Sequence, residues 1–76
     1  MSYEEFLNLI KMRRLELNLT QEDLAYMIPV SRIRYNRIET NKSELTYYEL
    51  KAIAEILNIN LNVIKNKKPK DIVSFD

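Results

Sequence analysis

The sequence predicts an all-α domain of five short helices. Apolar residues recur at three- and four-residue spacing along most of the chain, the period of a helix with one buried face. Ser2 with Glu5 and Thr46 with Glu49 form capping-box patterns, in which each side chain satisfies a free backbone N–H of the opening turn. Residues that favour strands are too scattered to build a sheet. Glycine is absent, so the helices must end on another residue able to adopt the left-handed conformation. Asparagine tolerates it best after glycine, and Asn18, Asn41 and Asn58 each follow a helical stretch.

The first helix is expected from Ser2 or Tyr3 to Leu17, with Phe6, Leu9, Ile10, Arg13 or Arg14, and Leu17 on its inner face. The second starts at an N-cap, Thr20, which places Glu22 and Asp23 at the positive end of the helix dipole. Leu24, Ala25 and Ile28 face the core. Pro29 stops this helix and disfavours helical geometry at Ile28. The third helix has Ser31 as N-cap and runs to about Thr40, with Val30, Tyr35 and Ile38 pointing inward. The fourth starts after Thr46, buries Leu50, Ile53, Ala54 and Leu57, and ends at Asn58. Asn60 caps a short fifth helix from Leu61 to about Lys65. Residues 67–76 read as a C-terminal tail, disordered or dimerising, that carries lysines, Pro69 and an apolar Ile72-Val73-Ser74-Phe75 segment.

At 76 residues the chain is one small domain. The absence of cysteine excludes disulfides and thiolate metal sites and suits a reducing cytoplasm. The absence of histidine removes the commonest general base and metal ligand. With no glycine either, neither a nucleophile–base set nor a phosphate loop can be assembled, so no enzyme, cofactor or metal is expected. No apolar run reaches the roughly 18 residues of a membrane span, and the acidic opening Met1-Ser2-Tyr3-Glu4-Glu5 is unlike a secretory leader. The formal net charge is +1. The basic residues are segregated, however, into the 32–42 stretch and the cluster Lys65, Lys67, Lys68 and Lys70. Five tyrosines are present. Tyr35 reads as core and Tyr47 and Tyr48 as first-turn residues, not as a stacking platform for bases.

Residues 20–39 thus form two short helices joined by a tight turn, the second carrying Arg32, Arg34 and Arg37 on its outer side. That is the layout of a helix-turn-helix, which offers one helix to the major groove of DNA. Arginine presents a planar fork that can donate two hydrogen bonds to guanine. Arg32 and Arg37 lie about 140° apart on an ideal helix and Arg34 points elsewhere. The expected readers of base edges are therefore Arg32 and Arg37, with Arg34 on phosphate or a flanking base and Ile33 against a thymine methyl.

These residues resemble the DNA-binding domain of the Cro/CI-type repressors, the XRE family, a five-helix lambda-repressor-like fold. The resemblance covers roughly residues 6–65. It is carried by Ile10 and Arg14, by Leu19-Thr20-Gln21-Glu22-Asp23-Leu24-Ala25, by Val30-Ser31, by Ile38-Glu39 with Asn41, and by Leu50 through Ile59 with Leu61. It implies that residues 1–66 are a DNA-binding domain. It also implies that Gln21 touches a DNA phosphate and braces the recognition helix, and that Arg32, Ile33 and Arg37 read bases. Ser31 and Arg34 would meet backbone or flanking bases, and Asn41, Lys42 and Ser43 the phosphates. Arg14 and Glu39 match a pair that ties the first helix to the third. Two positions depart from the family pattern. Pro29 stands where the turn usually has glycine and cannot take positive φ, so the turn must differ or the second helix end early. Asn41 replaces a second glycine, a mild change.

The resemblance implies a sequence-specific regulator of transcription, a cytoplasmic repressor acting as a homodimer on a palindromic operator, with double-stranded DNA as partner and no membrane. Two alternatives stay open: an antitoxin that also holds a protein partner through its tail, and an interaction module that has lost DNA binding.

Overall fold

The structure is a computed structural model that describes residues 2–61. The expected fifth helix beyond Leu61, the lysine cluster and the tail lie outside the described residues. Four helices follow one another: α1 (Tyr3–Glu16), α2 (Gln21–Met27), α3 (Arg32–Glu39) and α4 (Tyr47–Leu57). Among the described residues there is no strand, and no helix is long and apolar enough to cross a membrane.

Every helix starts on a hydroxyl cap. Ser2, Thr20 and Thr46 each accept from the backbone N–H three residues on, and Glu5, Asp23 and Glu49 return the bond to the cap's own N–H. Ser31 Oγ accepts from the Arg34 N–H at 2.9 Å. Three helices end alike. Asn18, Asn41 and Asn58 have φ of 59°, 62° and 56°. Each turns the chain so that the next N–H reaches back five residues: Leu19 to Arg14, Lys42 to Arg37 and Ile59 to Ala54. These are Schellman closures made without glycine.

The helix ends bring one set of apolar faces together. Phe6 and Ile10 of α1, Leu24 of α2, Tyr35 and Ile38 of α3, and Leu50, Ile53 and Leu57 of α4 are all buried in a single cluster. Leu7 and the loop residue Leu45 belong to it as well. Leu17, expected inside, is exposed, because it falls at the C-cap of α1, where the chain has already left the helical face.

The connection from α2 to α3 corrects one expectation. Ile28 keeps right-handed helical dihedrals (φ −69°, ψ −35°) as the C-cap of α2, and the Ile28–Pro29 peptide is cis. Its N–H bonds to the Leu24 carbonyl at 3.1 Å and its side chain is buried in the core. Packing and that hydrogen bond thus outweigh the local preference set by the following proline. The Val30 N–H then closes onto the Ala25 carbonyl at 2.8 Å. No residue of this turn has positive φ, so glycine is not needed there.

Candidate nucleic-acid interface

α3 is divided lengthwise. Tyr35 and Ile38 are buried, and Glu39 is held against α1. Arg32, Ile33 and Arg37 are exposed on the opposite side, Ile33 by 71 %. Single exposed apolar side chains are ordinary on a small domain, and Tyr26, Tyr48, Met12 and Leu15 are exposed as well; what sets Ile33 apart is its place between Arg32 and Arg37.

Beneath the exposed face lies a polar network. Arg14 is buried, its side chain only 8 % exposed and that of Glu39 3 %. The Arg14 Nε and Nη2 donate to the two Glu39 oxygens at 3.0 and 2.9 Å. Its Nη1 donates to the Leu19 carbonyl at 2.8 Å. Glu39 also accepts from the Tyr35 hydroxyl and, at 3.1 Å, from Gln21 Nε2. Burial alone would push the Glu39 carboxyl up; the hydrogen bonds from Arg14, Tyr35 and Gln21 more than offset it and hold it below the usual range. The same bond to Glu39 raises Arg14 further above its ordinary value. Burial, then the neighbouring carboxylate, keeps the Tyr35 hydroxyl protonated. α1 and α3 are thus joined by a charge pair whose lone pairs and protons are almost all used, the condition under which a buried pair persists.

Gln21 sits at the first position of α2 and is drawn into this network. Its Nε2 faces Glu39 and its Oε1 accepts from Asn36 Nδ2 at 3.1 Å. Gln21 is therefore linked directly to α3 through two of its residues. Asn36 itself is half-buried.

The three arginines of α3 have different surroundings. Arg34, expected on phosphate or a flanking base, is engaged within the fold. Its Nε and Nη2 bind Glu49 of α4 at 3.0 and 2.7 Å, and Nη2 also donates to the Glu44 carbonyl at 2.8 Å. The long Arg34 side chain reaches from the first turn of α3 to Glu49, which is already fixed as the cap of α4. Arg37 turns back over the loop that follows α3, donating to Ser43 Oγ at 3.1 Å and the Lys42 carbonyl at 3.2 Å. Arg32 makes no hydrogen bond or ion pair among the described residues. The ion pairs there are Arg13–Glu16, Arg14–Glu39 and Arg34–Glu49. Arg32, Arg37 and Lys42 thus stay exposed and outside these ion pairs, despite a net charge of only +1. Asn41 and Lys42 are exposed beside α3, and Ser43 is half-buried under Arg37.

Ser31 is exposed, its oxygen engaged as the α3 cap. Asn36 is the residue of this face that motif reasoning passes over. The available signal is its helical position, four residues after Arg32.

A family model described as Helix-turn-helix matches residues 10–64. No curated protein and no solved structure matches the chain. With α2, its turn and α3 inside the matched span, the chain belongs to the XRE-type helix-turn-helix family and is a DNA-binding transcriptional regulator.

Proposed function

We propose that the protein is a sequence-specific repressor that binds double-stranded DNA as a homodimer on a palindromic operator, with α3 in the major groove. The observation that carries this reading is the display of Arg32, Ile33 and Arg37 on one exposed side of α3 without a carboxylate partner. An α-helix fits the major groove, where each base pair offers a distinct set of donors and acceptors. Arg32 and Arg37 supply forks for guanine and Ile33 an apolar contact for a thymine methyl. Lys42, with Asn41, Ser43 and Ser31, serves the flanking phosphates. Arg34 fixes the angle of α3 instead of touching DNA.

A single module of this size covers little DNA. Two copies on a two-fold site, with recognition helices about 34 Å apart, double the contacts. The alternative of an interaction module without DNA binding requires the α3 arginines to be neutralised, and only Arg34 is.

The test is selection of bound duplexes from a random pool with the wild type, Arg32→Ala and Arg37→Ala. A two-fold motif for the wild type, and altered preference at one position in each half-site for each variant, is the expected result. Enrichment of no motif by the wild type overturns the reading. Uniform weakening by a variant reassigns that arginine to phosphate.

A further inference from the structure

We propose that Asn36 is a specificity-determining residue that reads an adenine in the major groove, and that Gln21 is the positioning residue that aims it. The inference rests on the DNA-binding reading above and deepens it.

The first ground is angular position. Taking Arg32 as reference, Asn36 lies about 40° round α3, Ile33 about 100° and Arg37 about 140°. Exposed Ile33 and half-buried Asn36 therefore lie between the two arginines on this arc. A helix set into the groove with this arc forward brings Asn36 to the base edges.

The second ground is the polarity of the hydrogen-bond chain. An ionised carboxylate can only accept. Glu39 is held in that form by Arg14 at 2.9 and 3.0 Å, so the Gln21 amide must turn its NH₂ toward it. The Gln21 oxygen is then left to accept from Asn36, one turn earlier on α3, which must present its own NH₂, as observed at 3.1 Å. The Asn36 amide has no freedom to flip. Its Oδ1 and its second N–H make no bond with any described residue.

The chemistry follows. An acceptor and a donor side by side match the N6 amino group and N7 of adenine, the pairing asparagine makes in the major groove. Guanine offers two acceptors on that edge and would leave Oδ1 facing O6. The arginines have donors only, so they favour guanine and cannot select adenine. Because Gln21 holds the amide in place beforehand, little side-chain freedom is lost on binding.

Pool selection with wild type, Asn36→Ala, Gln21→Ala and the double variant tests this. The expected result for Asn36→Ala is loss of an adenine preference of about 5- to 150-fold at one position of each half-site, the other positions keeping theirs. Gln21→Ala weakens preference at that same position, and adds nothing there when Asn36 is already alanine. Circular dichroism establishes folding, and Asn36→Ser replaces Asn36→Ala should the latter not fold. A wild-type motif retained at every position in the Asn36 variant, or affinity lost evenly across sequences, overturns this inference while leaving the regulator reading intact. A wild type that enriches no motif overturns both.

Discussion

Arg34 and Glu49 face each other across the junction of α3 and α4, with both guanidinium and carboxylate bonded twice, at 3.0 and 2.7 Å. Glu49 is at the same time the capping residue of α4, its Oε1 accepting from the Thr46 N–H at 2.7 Å. One carboxylate thus starts α4 and fixes the N-terminal end of α3. Burial would raise its pKa, but Arg34 and the Thr46 cap outweigh burial and hold it below the usual range. Arg34→Ala is expected to cost about 1–2 kcal/mol, since Glu49 keeps its cap bonds and the pair is partly solvated. Thermal melting measures the loss. Base preference should be unchanged, and a shifted preference at one operator position would return Arg34 to the DNA contacts.

Glu39 presents the opposite case, because its pair with Arg14 is closed to solvent. Glu39→Ala leaves the Arg14 guanidinium buried with only the Leu19 carbonyl. Removing one partner of such a pair costs roughly 3–5 kcal/mol, which for a domain this small means a melting temperature lower by more than about 12 °C. A melting curve like that of the wild type would show that the pair contributes nothing to the fold.

Both carboxylates impose a dependence on acid. Their pKa values are depressed in the folded state, so the unfolded chain takes up protons first as pH falls. Their contribution is fully present above the ordinary carboxylate pKa of about 4.3 and is lost as pH drops through the lower folded values. Melting temperature should therefore be flat from neutral pH to about 5 and fall below that. Glu39→Gln should start lower and decline less steeply over the same acid window. An equal slope in the two proteins would mean that Glu39 is not among the groups responsible.

What was legible in the sequence was local. Ser2, Thr20, Ser31 and Thr46 could be placed as caps, and Asn18, Asn41 and Asn58 as left-handed ends, because each acts within a few residues of its own position. The buried faces of α3 and α4 follow from helical period for the same reason. Leu45 had no period to betray it, since it is buried from a loop. Arg34 reads like its neighbours because Glu49, fifteen residues on, comes opposite it only in the folded chain. Ile28 departs from the local rule for a residue before proline because its conformation is set by the core. Arg32, Ile33 and Arg37, exposed together on α3, stand out from residue type and spacing alone. The link from Arg14 through Glu39 and Gln21 to Asn36 spans three helices and exists only once they are folded together.

Lys42 separates charge from readout. Its N–H and carbonyl are both tied to Arg37, at 2.7 and 3.2 Å, so the loop backbone is held at the end of α3 while the side chain stays exposed and outside every ion pair among the described residues. On the proposed reading, Lys42 acts on phosphate, where a lysine releases a counterion, an effect blind to sequence. Lys42→Ala should weaken binding to specific and random duplexes alike and reduce the slope of log affinity against log salt by about one. Its melting temperature should barely move, because surface substitutions away from packed or capped positions usually change stability by less than about 0.5 kcal/mol. Titrations at several salt concentrations measure the slope. Loss confined to one operator sequence, with the slope intact, would instead place Lys42 against a base edge and move the edge of the reading surface from α3 into the loop.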